Sequence, residues 1–143
     1  MSYRERALNW IERAENEEDE FIKFILYYIS FEVLCKLRGI GKREVKNNDD
    51  IRESVTRKID DDRFLELINL LERKPLKNLN PNGDHRWNGK IESKNDINGI
   101  VEFIIRSRNN LFHGDKGLEE GRDIIIVNWG IFLIKPIIQE MIE

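Results

Sequence analysis

The sequence predicts an all-α fold, an up-and-down bundle of about five helices forming one domain over residues 1–143. Three observations predict it. Apolar residues recur at three- and four-residue spacing in several separate segments. Capping residues and glycines stand where those segments begin and end. The length of 143 residues suits one core and is short for two.

Ser2-Tyr3-Arg4-Glu5 has the form of a capping box, and Leu8, Ile11 and Ala14 follow on one face, so a first helix runs from about Tyr3 to Glu17. Phe21 to Arg38 reads as a long helix, apolar on most sides and stopped by Gly39, which belongs at the centre of a bundle or at a subunit interface. Gly39 to Asn48 reads as a polar link. Asn48 or Asp49 then caps a charged, peripheral helix through Arg57. Asp60-Asp61-Asp62 caps a helix with an apolar stripe at Phe64, Leu65, Ile68 and Leu71, ending before Pro75.

Pro75 to Ser93 has no periodicity, and a loop this long in a small domain is usually functional or mobile. Ser93 or Asn95 caps the next helix, which ends at Gly114. The last apolar element runs from Ile124 to Ile142. Its opening run Ile124-Ile125-Ile126-Val127 suits a strand as well as a helix, but helical spacing from Ile131 to Met141 favours a helix kinked at Pro136.

Composition narrows the function. Phe21 to Leu37 contains Lys23, Glu32 and Lys36, which argues against a membrane span, and no apolar signal core follows Met1. A lone cysteine, Cys35, excludes a disulfide scaffold and makes a reducing, cytoplasmic location the default expectation. Two histidines far from that cysteine make no zinc motif, no glycine-rich phosphate loop is present, and we expect neither metal nor cofactor. A net charge of −3 argues against a surface broadly coated by nucleic acid. Between Arg73 and Lys90, however, five basic residues face Asp84 alone, so contact with a polyanion would be local. Within that stretch Arg86, Trp87 and Lys90 are candidate RNA contacts, the tryptophan either stacking on a base or pinning the loop to the body.

The run Arg106-Ser107-Arg108-Asn109-Asn110-Leu111-Phe112-His113-Gly114 carries the strongest chemical signal. Ile97, Ile100, Val101, Ile104, Ile105, Leu111 and Phe112 mark one buried face, and Arg108 falls on it. A guanidinium there needs a carboxylate, carbonyls or an anionic ligand, and Glu32 is the candidate partner that would orient it. Glu32 is also spaced to pair with Lys36 on its own helix. His113 could bond to the last carbonyls of its helix or serve a site.

Arg108-Asn109-Asn110-Leu111-Phe112-His113 resembles the R-N-x-x-x-H signature of the HEPN superfamily. The aromatic-rich segment from Phe21 to Leu34 is similar to the second helix of its prokaryotic, Apea-like branch. The resemblance implies a helical bundle, commonly a homodimer, with the arginine and histidine of both subunits meeting in one cleft. It implies a metal-independent endoribonuclease of toxin or defence type with Arg108, Asn109 and His113 as site residues. It equally accommodates a nucleotide- or RNA-binding module without catalysis, or the helical partner of a minimal nucleotidyltransferase antitoxin.

The chemistry suits these residue types. Attack of a ribose 2′-hydroxyl on its own phosphate needs a base, an acid and positive charge on the transition state. Imidazole transfers protons near neutral pH, and a guanidinium fork matches two phosphate oxygens. On a regular helix, residues five apart differ in direction by roughly 140°, so Arg108 and His113 cannot both face one phosphate from one unbroken helix. A site shared across two subunits would remove that conflict and supply two proton-transfer groups.

Overall fold

The computed structural model describes residues 1–76, 87–111 and 120–143. Among these residues there are six α-helices and a short 3-10 helix, and no strand. The α-helices are α1 (Tyr3–Glu15), α2 (Glu20–Arg38), α3 (Asp49–Lys58), α4 (Asp61–Arg73), α5 (Ile97–Leu111) and α6 (Glu120–Ile142), with the 3-10 helix at Lys42–Asn47.

Local chemistry sets most of the boundaries. Ser2 Oγ accepts from the Glu5 amide at 3.1 Å, Asn48 Oδ1 from Ile51 at 3.0 Å and Asp60 Oδ2 from Arg63 at 2.9 Å, each supplying one of the bonds that a helix start lacks. Asp19 does the same for α2, which therefore begins one residue before Phe21. α2 stops at Gly39, whose φ of 68° is left-handed. α1 closes at Glu15, before the expected Glu17, where the Asn16 amide turns back onto the Glu12 carbonyl.

Three expectations need correction. The link from Gly39 to Asn48 is not merely polar coil, because Lys42–Asn47 forms the 3-10 helix and buries Val45. Neither Ser93 nor Asn95 caps α5. Asp96 does, with Oδ1 accepting from Gly99 at 2.9 Å and Oδ2 from Glu92 at 3.0 Å. As the helical spacing favours, Ile124 to Val127 lies inside α6, so the β-branched run is helical, and Pro136 sits within the same helix. α3 is charged but not peripheral on all sides, since Ile51 and Val55 are fully buried.

α2 and α6 run parallel at the centre. At one end the Cβ that Gly130 lacks would stand 2.6 Å from the ring of Phe24. At the other end Arg38 donates to the carbonyls of Glu140 and Met141, and Arg4 from the start of α1 reaches Ile142. Two arginines thus satisfy carbonyls that the end of α6 leaves open. α6 is apolar enough between Ile124 and Ile142 to cross a membrane by length and composition, and half of that stretch is buried inside the bundle.

The largest departure is in α5. Besides the expected Ile97, Ile100, Val101, Ile104 and Ile105, its other sides bury Glu102, Phe103, Arg106, Ser107 and Asn110. The helix is enclosed on nearly all sides, with the 3-10 helix packed against it.

Candidate functional site

The buried polar side of α5 is organised by one carboxylate. Glu102, 4% exposed, accepts from Arg43 Nε at 2.6 Å and from Arg106 Nε at 3.1 Å. One negative charge therefore holds two guanidiniums, one of them from the 3-10 helix, and fixes that helix against α5. None of these three residues was selected as a candidate from the sequence. Their signal was the four-residue spacing of Glu102 and Arg106 inside an otherwise apolar run.

Arg108 lies in the last turn of α5, two residues beyond Arg106. It is half-buried, so the most enclosed arginine of this helix is Arg106 and Arg108 stands at the border of the core. Its guanidinium carbon is 5.6 Å from the ring centroid of Tyr28, and Nη1 donates to Asn109 Oδ1 at 3.4 Å. Asn109 is exposed and Asn110 buried. The structure thus brings Arg108 and Asn109 together at one helix end, while His113 lies outside the described residues.

Tyr28 is the hub of this end. It is 2% exposed, wedged between Phe24 and Phe31 at ring separations of 6.3 and 6.2 Å. Lys42, next to the anchored Arg43, places Nζ 5.1 Å from the same ring centroid. Lys42 also forms an ion pair of 3.2 Å with Glu32. Glu32 therefore pairs with Lys42 and not with Lys36 of its own helix, and its charge and that of Arg108 act on the Tyr28 phenol with opposite sign.

The titration of these groups follows from the packing. Burial raises the Tyr28 phenol above its usual value, partly offset by Lys42, so the hydroxyl stays protonated at neutral pH. Burial works against the Lys42 ammonium, but Tyr28 and Glu32 outweigh it and hold Lys42 above its ordinary value. Lys42 is thus a permanent cation. Two positive charges at one helix end suit an anion better than a neutral ligand.

The loop candidates separate from this cluster. Trp87 Nε1 donates to the Lys90 carbonyl at 2.9 Å, and Lys90 Nζ pairs with Glu72 of α4 at 3.4 Å. Gly89, at a φ of 83°, returns the chain so closely that its carbonyl accepts from the Leu76 amide at 3.0 Å. The indole is also half-buried and packs against the core, as the pinning alternative for Trp87 has it. Arg86 lies outside the described residues.

Elsewhere, a groove of about 530 Å³ runs between the α3–α4 corner and α6, with Arg63 stacked over Phe132 and Trp129. Among the described residues no group of three histidine, cysteine, aspartate or glutamate side chains converges to hold a metal ion. Compared with protein-family models, curated proteins and solved structures, the chain matches none.

Proposed function

We propose that this chain is a HEPN-like, metal-independent endoribonuclease of toxin or defence type, cleaving RNA at a site completed by a second copy of the chain. The observation that carries the reading is the end of α5. There Arg108, half-exposed beside Asn109 and laid over a buried tyrosine, precedes His113 by five residues in the R-N-x-x-x-H pattern. Support on Tyr28 limits the rotamers of a long side chain, and an ordered guanidinium holds the scissile phosphate at less entropic cost. His113 supplies proton transfer, and Asn109 orients either the phosphate or the imidazole. Each chain has one histidine in the motif, so a homodimer provides the acid and the base that the reaction needs.

The test is cleavage of mixed-sequence RNA in chelator by the wild type, His113→Ala and Arg108→Ala. The wild type should leave 2′,3′-cyclic phosphate ends. His113→Ala should cut roughly 10²- to 10⁴-fold more slowly with RNA binding retained, the usual contribution of a general acid or base. Arg108→Ala should weaken both binding and cutting. Inertness of the wild type with RNA still bound would assign a binding module in place of the enzyme. Inertness without RNA binding would leave the helical partner of a nucleotidyltransferase, testable by co-purification.

A further inference from the structure

We infer that Lys42 is a second phosphate-binding residue of this site: Lys42 and Arg108 form a two-cation clamp over Tyr28, and Glu32 is the counter-ion that an incoming RNA phosphate displaces. The inference deepens the ribonuclease reading and rests on it.

Three features support it. First, both cations lie against one ring, at 5.1 and 5.6 Å from its centroid, so the two charged centres are no more than about 11 Å apart. Two successive phosphates of a strand can bridge such a span. Second, Lys42 is not a floppy surface lysine. Its neighbour Arg43 is locked to the buried Glu102 on α5, so the 3-10 helix delivers the Lys42 ammonium to the Arg108 end of the same helix. Third, the Glu32–Lys42 pair is only partly enclosed, with about a third of each side chain open, at 39% and 33% exposure. A pair that wet is weak and exchangeable, unlike the Glu102 cluster. Lysine acts as a point charge toward phosphate and does not need the fork geometry that Arg108 supplies, so the two cations have different tasks.

The competing account is that Lys42 and Glu32 simply stabilise each other. The two accounts differ in sign. If the pair is structural, removing either charge breaks the same contact and both variants shift in the same direction. If Glu32 competes with phosphate, the two variants move in opposite directions.

The experiment is a salt titration of binding, by fluorescence anisotropy, of a single-stranded 2′-O-methyl RNA that lacks the attacking hydroxyl. It compares the wild type with Lys42→Gln, Lys42→Arg and Glu32→Gln. Lys42→Gln should weaken binding and reduce the log–log salt slope by about 0.7, the release expected for one phosphate contact on a single strand. Lys42→Arg should restore the slope, and Glu32→Gln should tighten binding. An unchanged slope in Lys42→Gln, or weakening by both Lys42→Gln and Glu32→Gln, overturns the inference. If the wild type cuts RNA and His113→Ala does not, that failure belongs to Lys42 alone. If the wild type neither binds nor cuts RNA, the ribonuclease reading falls and takes this inference with it.

Discussion

Glu102→Gln should destabilise the protein more than any conservative surface change, by about 3 kcal/mol. The carboxylate is 4% exposed and pairs with two guanidiniums through bonds of 2.6 Å to Arg43 and 3.1 Å to Arg106. Removing one partner of a buried ion pair typically costs about 3 to 5 kcal/mol, because a charge remains buried without compensation. Arg43 can escape much of this cost, since its side chain is 29% exposed and can swing into water. Arg106, with 9% of its side chain open, cannot swing into water, but Glu102 is not its sole partner, which places the expected loss at the lower end of that range. A domain of this size has a total stability of roughly 7 to 20 kcal/mol, so the variant should still fold. Its midpoint temperature should fall by about 6 to 12 °C. Urea denaturation with an unchanged m-value measures the loss. Arg43→Ala should cost less than Glu102→Gln, because Arg106 then keeps its carboxylate. Glu102→Gln also frees the 3-10 helix from α5, so on the ribonuclease reading it should lower the salt slope of RNA binding although Lys42 is intact. A stability loss below about 1 kcal/mol would refute the assignment of Glu102 as the charge that holds this corner together.

Two further predictions concern packing. Gly130→Ala should destabilise by about 1 to 2 kcal/mol although alanine is the better helix former by about 1 kcal/mol, because the added methyl would meet the fully buried Phe24 ring at 2.6 Å; in a Phe24→Leu background the same change should become neutral or stabilising, and chemical denaturation of both pairs decides it. Burial pushes the Cys35 thiol up to about 12, so iodoacetamide at pH 8 should label it only after unfolding, as mass spectrometry would show. The sign for stability follows. Below about pH 9 the thiol is protonated in both states, and between about 9 and 12 only the unfolded chain ionises, so stability should fall over that interval.

What was legible in the sequence depended on the range of the interaction that decides each feature. Ser2, Gly39, Asn48 and Asp60 act within a few residues of themselves, and the starts or stops they imply are where the structure has them. α5 is different. Its periodicity identified the residues facing the apolar core, but the burial of Glu102 and Arg106 depends on Arg43, which comes from 59 residues away and follows no local pattern. For the same reason Glu32 finds its partner in Lys42 across the turn at Gly39, whereas spacing alone suggests Lys36. The clue in the sequence was an unbalanced count. Glu102 and Arg106 form a complete i,i+4 pair by charge, and Arg108 follows two residues later with no acid on its own helix turn. An apolar helix that carries one more cation than it can neutralise must place that charge against another element or a ligand. In this bundle Arg106 takes the internal carboxylate, and Arg108 stands half-buried at the bundle edge near the ring of Tyr28. On the ribonuclease reading, that division of labour would let one helix anchor the fold and present positive charge to a phosphate. It also predicts that exchanging the tasks fails: Arg106→Gln should cost stability, Arg108→Gln should cost RNA affinity, and neither variant should show the other's defect in full.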